Sequence, residues 1–596
     1  MRLWHAVAGL AVIALGVVAG PPLYDTVLQR LNLLPLPAAK RIAVLPVHNP
    51  GGTKDDAAMC DGMLDYIVAR LGEMQRFQQA LWVVPAGEVR DSGVTTPAGA
   101  RRGLGTTLAL DMTVQRAGGE FVMTFSLSET TAASPRQLRG STRRVPAGEI
   151  LLDHAVDAVV ALLDLEAGPQ VRAALMSGST AVAEASTLYA QGTQDLAHTP
   201  FERGLSELQR SDRKERIEQA IGLFQAALAR DPKYALAHAG LAQAYLRHYQ
   251  LTRRPEYVSL SEQHCQRALE LDTLSARPWL ALAILHSQTG KGEQAIGEFR
   301  QALDREPRNG EAYREMAMAF TRLNRIDEAE QAYKKAIEIL PDAFLSHGYY
   351  GWFLAGRNRF PEAEASLNRA LAMAPDNARI WSNLGGTYYL EGRKAEAETA
   401  FGKSVALYPT SIAVSNLAAL QFYRKDYGGA VRTFEQAIKV SDLDYRVWRN
   451  LASAYYWAPG QRDRASGAYK RAADLAERER LLDPRNASLL VALADCRAMT
   501  GDGAPARALL TDALTLAPAD VQVLKMAAGV YETLGDRTEA LRWLDMALAG
   551  GFPRPEVDNS IEFEALRRDP RYAAIGERAP AKTGDKGGSQ LRKEER

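Results

Sequence analysis

The chain has 596 residues, with 72 Lys and Arg against 71 Asp and Glu, and it is 46% hydrophobic, 24% charged and 8% aromatic, proportions that exclude disorder and low complexity for most of it. A formal charge of +1 leaves no excess of cations to attract nucleic acid or an acidic surface. Cys60, Cys265 and Cys496 are odd in number and far apart, so they build neither a disulfide framework nor a thiolate metal cage and read as small core residues.

From Leu3 to Tyr24 the chain carries no Lys, Arg, Asp or Glu, and a dense apolar run from Ala6 to Ala19 is closed by Gly20, Pro21 and Pro22. About 20 residues at 1.5 Å rise cross a bilayer core, so residues 3–23 are expected to form a transmembrane signal anchor. The apolar centre also fits the core of a removed signal peptide, with Ala19 at the cleavage point, and that alternative stays open. Arg2 and the free amine lie on the short side, which favours keeping that end in the cytoplasm. The expected location is the bacterial inner membrane, single-pass, with everything after Asp25 in the periplasm, or the periplasm itself if the leader is removed.

Residues 40–166 read as a small α/β domain. Arg41 to Val47 is a β-rich apolar run, and Asp56 to Met74 places Cys60, Met63, Leu64, Ile67, Val68 and Leu71 on one helical stripe. Ala80 to Pro85 reads as a second buried strand. Thr107 to Arg116 and Glu120 to Glu129 read as a hairpin about Ala117, Gly118 and Gly119, in which Phe121, Met123, Phe125 and Leu127 alternate towards a core. A helix over Ile150 to Leu165 closes the domain, which is large enough for a core of its own.

The runs Ile42-Ala-Val-Leu-Pro-Val47, Asp61-Gly-Met-Leu64, Leu81-Trp-Val-Val84 and Arg102-Gly-Leu-Gly105, followed by two strands ending in Arg139-Gly-Ser-Thr-Arg143, resemble the TolB-amino-terminal-like (FlgO-like) domain of bacterial membrane regulators. That family has a Leu-Pro-Phe strand where Val47 replaces the Phe here, and a Leu-Gly-Val-Asp-Tyr strand that Leu108-Ala-Leu-Asp111 only approximates. The resemblance covers about a fifth of the chain and brings structural motifs without catalytic residues. Relatives often carry a winged-helix or kinase output domain before the membrane segment. Only five residues precede the apolar run here, so such a domain is expected to be absent.

Residues 180–552 are organised by repetition. Pro307, Pro341, Pro375 and Pro409 recur at one constant interval, and Pro484 to Pro518 repeats it. Tyr313, Met316, Ala317, Phe320, Ala329, Tyr333, Ala336 and Pro341 fill one period; Trp381, Leu384, Gly385, Tyr388, Ala397, Phe401 and Pro409 fill another. These positions and their interval resemble tetratricopeptide repeats, in which small residues let two antiparallel helices approach and Pro ends the second. One such pair cannot bury its own face, so stacking is required. About ten helix pairs are expected, with extensions near Leu251 to Tyr257 and Gly460 to Arg480, then a capping helix over 553–578 and a disordered tail over 579–596. The expected class is mainly α: a tetratricopeptide superhelical solenoid preceded by a small α/β domain and one transmembrane helix.

The resemblance implies that the first helix of each repeat lines a concave groove. Asn383, Asn416 and Asn450 precede Leu384, Leu417 and Leu451 in one slot, which makes them a column on stacked helices. A carboxamide both donates and accepts, so such a column can hold the backbone of an extended peptide, as in the similar asparagine ladder of O-linked N-acetylglucosamine transferase repeats. Asn-Leu is also common repeat consensus, and both readings stand. Tyr349, Trp352, Tyr389, Tyr456 and Trp457, with Arg446 and Arg449, are candidate anchors of the same face, part of which inter-repeat packing can claim.

Catalytic and cofactor motifs are not evident. Gly402-Lys-Ser404 lacks the first Gly of a phosphate loop and sits in a helical pattern, the nine histidines form no ligand cluster, and no cofactor or metal is expected. The expectation is a non-enzymatic, membrane-tethered scaffold that binds proteins or extended peptides in its groove and does not bind nucleic acid. The alternative is a sensor acting in trans on a separate kinase or transcription regulator.

Overall fold

The computed structural model describes residue 29 and residues 34–576, except positions 53, 76, 77, 79, 92, 132, 133, 147–149, 166–178, 181, 198–206 and 342. The segments expected as the anchor, 3–23, and the tail, 579–596, lie outside the described residues. Among the described residues no helix is long and apolar enough to cross a membrane.

The α/β part runs β1 (Lys40–Val44), α1 (Lys54–Met74), β2 (Leu81–Val83), α2 (Ala86–Asp91), α3 (Pro97–Leu104), β3 (Leu108–Ala117), β4 (Glu120–Glu129), β5 (Arg136–Pro146) and α4 (Leu151–Leu162). Its sheet has the order β2-β1-β3-β4-β5, with β1 parallel to β2 and β3 and the remaining pairs antiparallel. The strand period of two sorts its faces. Ile42 and Val44 join the core under α1 and α4, while Ala43 and Leu45 meet Val89, Ala100 and Leu104 of α2 and α3 on the other side. Thr96 caps α3 by accepting from the Gly99 amide at 3.2 Å. Pro97 opens that helix, and Gly105 leaves it in the left-handed region at φ 60°.

The remainder is mainly helical and forms two compact units, the first of which also contains the α/β part. In the first unit the hairpins are α5 (Ala183–Ala197) with α6 (Glu207–Arg230), α7 (Ala235–Thr252) with α8 (Glu256–Leu271), α9 (Arg277–Gln288) with α10 (Gly292–Arg305), α11 (Gly310–Arg322) with α12 (Ile326–Ile339), α13 (Phe344–Ala355) with α14 (Phe360–Met373), and α15 (Ala378–Leu390) with α16 (Lys394–Leu407). In the second they are α17 (Ser411–Tyr423) with α18 (Tyr427–Val440), α19 (Tyr445–Trp457) with α20 (Arg462–Arg480), α21 (Ala487–Met499) with α22 (Gly503–Leu516), and α23 (Val521–Thr533) with α24 (Arg537–Ala549). The three cysteines are buried, and none is in a disulfide.

Local chemistry recurs with the period. The turn inside successive hairpins of the first unit passes through the left-handed region at Gly290, Asn324, Asn358 and Gly392, each one repeat after the last. Gly and Asn are the residues that tolerate that conformation. Asn309 and Asn377 cap α11 and α15 by accepting from the amides of Ala312 and Ile380. Adjacent second helices are clasped: Glu330 of α12 accepts from Arg359 at 2.8 Å and from the Tyr350 hydroxyl at 3.0 Å, and Glu364 of α14 accepts from Arg393 at 2.8 Å and Tyr388 at 2.9 Å.

The capping segment differs from the single helix expected. It consists of α25 (Arg554–Asn559), a 3-10 turn (Ile561–Phe563), α26 (Glu564–Arg567) and a second 3-10 turn (Pro570–Ala574). Ser560 and Asp569 adopt extended backbone at ψ 129° between the short helices, the latter just before Pro570, so the segment bends and lays Val557, Phe563, Leu566 and Tyr572 on the end of the last hairpin.

The α/β part does not keep the separate core expected of it. One continuous core runs from Ile42 and Phe125 through Ile67 to Tyr189, Phe224 and Tyr245 of the first repeats. Arg277 at the start of α9 donates to the carbonyl of Asp65 at 3.0 Å and to the Tyr189 hydroxyl at 3.1 Å. Trp82 of β2 packs against Ile339, Leu340 and Ala343 between α12 and α13. The inter-repeat turns form a second platform that sequence periodicity does not reveal, because those residues repeat for packing and only their neighbours differ.

Candidate functional site

Glu315, Tyr349 and Asn383 occupy equivalent positions, one repeat apart, on α11, α13 and α15, the first helices of consecutive hairpins in the first unit. The slot read as an asparagine column in the sequence therefore holds a carboxylate, a phenol and a carboxamide there. Tyr349 lies between two guanidinium groups: Arg314 is 5.7 Å and Arg379 5.9 Å from its ring centroid, and Arg379 donates to its hydroxyl at 2.7 Å. Burial pushes the Glu315 carboxyl up, while Arg314, Arg322 and Arg247 oppose the shift.

Trp352, one helical turn past Tyr349, is 46% exposed. Its ring edge rests on α15 where Gly386 supplies no side chain; a Cβ there would stand 2.7 Å from Trp352 Cζ3. Neighbouring first helices are joined by polar bonds along this face: Arg322 of α11 donates to Ser287 of α9 at 2.6 Å, and Gln250 of α7 donates to Gln288 at 3.3 Å. Tyr389 lies half-buried on α15.

The other candidates belong to the second unit. Asn416 and Asn450 are half-buried on α17 and α19. Arg449 approaches Asp495 of α21 at 3.9 Å, so it is already faced by a carboxylate. Tyr456 is covered by Arg462, whose guanidinium carbon sits 4.1 Å from the ring centroid and which also donates to the phenol, and it meets Trp457 edge-on at 5.1 Å. Arg446 pairs with Asp444 at 2.9 Å. Arg446, Arg449 and Tyr456 thus serve contacts within the unit, whereas Tyr349, Trp352 and Asn383 share one face of the first. Arg314, Glu315 and Arg379 were missed; the signal was available, since Glu315 is Asn383 less two periods.

Among the described residues no group of three His, Cys, Asp or Glu side chains is placed to hold a metal ion.

Residues 211–253, 280–344 and 353–412 match the family model of the tetratricopeptide repeat. No curated protein matches the chain. Solved structures that match include a tetratricopeptide repeat protein from Parabacteroides merdae, 19% identical, covering 41% of this chain and 96% of its own, with a TM-score of 0.34. The Cut9-Hcn1 hetero-tetramer of APC/C is 15% identical over 70% of this chain and 82% of that one, with a TM-score of 0.38. PilF of Pseudomonas aeruginosa is 21% identical over 37% and 96%, with a TM-score of 0.26. The hairpins matched between residues 211 and 412 are tetratricopeptide repeats.

Proposed function

We propose that the chain is a non-enzymatic scaffold that holds an extended segment of another protein against the face formed by α11, α13 and α15. Tetratricopeptide repeats generally serve as protein-interaction modules, and the observation that carries the reading to this face is Trp352. A large aromatic left 46% exposed beside Tyr349, Asn383 and Arg379 has the composition of an interface anchor, and two χ angles make it cheap to immobilise. Asn383 offers a donor and an acceptor for a partner backbone, with Asn416 and Asn450 supplying the same chemistry in the second unit.

In the same reading, residues 3–23 tether the chain to the bacterial inner membrane, residues 40–166 are a TolB-amino-terminal-like domain, and the repeats face the periplasm. The uncharged run from Leu3 to Tyr24 and the Leu45-Pro46 and Asp61-Gly62 motifs support it. A fluorescent protein that matures only in the cytosol, fused to the carboxyl end, is expected to stay dark; a bright fusion removes the assigned sidedness.

The groove is tested by affinity capture with the full chain from intact membranes, followed by mass spectrometry. The Trp352→Ala, Arg379→Ala, Asn383→Ala triple variant is expected to lose proteins that the parent retains. Equal recovery of every partner by the two chains rejects binding at this face.

A further inference from the structure

We propose that His286 is a proton-operated lock, which in its charged form ties α8 to α10 across α9 and on losing its proton releases them. The ring is buried, and each nitrogen faces a carboxylate: Nδ1 is 2.7 Å from Glu298 of α10, and Nε2 is 2.8 Å from Glu262 of α8. A neutral imidazole has one N–H and one lone pair, so it satisfies one of these contacts and turns the lone pair on the other carboxylate. The imidazolium satisfies both.

The remaining groups around the ring come from all the elements packed on it. Lys291, in the turn before α10, bonds Glu262 at 2.7 Å; Gln294 of α10 donates to Glu298 at 3.0 Å; Gln266 and Cys265 lie on α8. Two carboxylates are thus balanced by two cations, one of which is the histidine, beside a pocket of ≈ 250 Å³. Burial by itself favours the neutral ring, but Glu298 and Glu262 outweigh it and raise the His286 pKa above the ordinary histidine value. A raised folded-state pKa contributes stability that is fully present below the unfolded value and is lost as pH rises through the folded one.

The repeat period shows what is unusual. Three periods on, His286 becomes Tyr388, Glu262 becomes Glu364, Lys291 becomes Arg393 and Glu298 becomes Ala400. There the Tyr388 hydroxyl donates to Glu364 at 2.9 Å and the space opposite needs no carboxylate. One repeat therefore puts a histidine where the other has a phenol, and adds the buried Glu298 as a second acid to face it. Ser287 and Gln288, which follow the histidine on α9, carry the bonds to Arg322 and Gln250 on the first-helix face. Loosening α9 reaches the proposed groove through them; the lock itself does not depend on that reading.

The test is amide hydrogen exchange on the full chain between about pH 6 and pH 9, corrected for the intrinsic base-catalysed rate, comparing peptides of α8 to α10 with peptides of α15 and α16. Opening of the first set is expected to rise with pH relative to the second, as the proton that the two carboxylates hold on His286 is lost. The His286→Tyr, Glu298→Ala double variant, which copies the Tyr388 arrangement, is expected to abolish that difference. Parallel pH profiles of the two segments in the parent overturn the lock, as does a double variant that keeps the parent's profile. Should the double variant not fold, Glu298→Gln is expected to move the midpoint to lower pH, and an unmoved midpoint has the same force. Loss of membrane-protein capture without any change in this profile would fault the groove and leave the lock standing.

Discussion

Arg308, in the turn between α10 and α11, donates to the backbone carbonyl of Leu81 at 3.3 Å, so a repeat side chain occupies the outer edge of strand β2. Its guanidinium also lies 5.8 Å from the Trp82 ring, with Arg41 on the same indole at 4.4 Å. An edge strand with free carbonyls and amides invites pairing with other chains, and here the repeats cover it.

Arg277 is the central polar contact of that junction. Arg277→Ala leaves the Tyr189 hydroxyl and the Asp65 carbonyl without this donor in a buried setting, and each stranded group costs about 1–3 kcal/mol. Urea unfolding is expected to show a loss of about 2–4 kcal/mol. A variant as stable as the parent would show that the junction does not depend on this residue.

Glu73 makes the junction pH-dependent. Burial pushes its carboxyl up to about 7 despite the Arg70 guanidinium 3.0 Å away. Because the folded-state value is raised, the contribution is fully present below about pH 4.5 and disappears as pH rises through about 7. Thermal melts between those values are expected to fall with pH in the parent, and Glu73→Gln should flatten that slope. An unchanged slope in the variant contradicts the assignment.

Neighbouring glycines in α15 are expected to respond in opposite ways. A Cβ at Gly385 would stand 2.7 Å from Phe401, which is buried in the hairpin, so Gly385→Ala forces overpacking and should cost about 1–3 kcal/mol despite the better helix propensity of Ala. At Gly386 the obstacle is the exposed Trp352 ring, which can swing aside, so Gly386→Ala should leave stability within about 1 kcal/mol of the parent while altering partner capture. Denaturation curves of both variants check the pair; equal losses would refute the distinction.

Phe563 closes the second unit. Its side chain is fully buried against the last hairpin, and Phe563→Ala is expected to lower stability by about 3–5 kcal/mol, read by the same denaturation.

The helical hairpins and the α/β order were legible because each rests on a period: the repeat interval for prolines and small residues, the strand alternation for Met123, Phe125 and Leu127. Asn383 was singled out by the same period, whereas Tyr349 and Trp352 were singled out only as aromatics of one helix face. The internal pairing of Arg449 was not, since Asp495 lies beyond the whole of α20 and nothing local marks their approach. The docking of Trp82 between α12 and α13 was hidden likewise, because a contact from β2 to Ile339, so distant along the chain, leaves no periodic trace. His286 was passed over as a scattered histidine; alignment with Tyr388 would have singled it out.

The clasp between second helices makes the array divisible. Glu330 and Arg359 are separated by 29 residues, and so are Glu364 and Arg393. Excising residues 344–377 would bring Arg393 to the same distance from Glu330 and would carry the left-handed turn residue Gly392 to the place of Asn358. Length in this part of the gene can therefore change in whole quanta with every ion pair rejoined, whereas a gain or loss of any other size leaves charged ends mismatched.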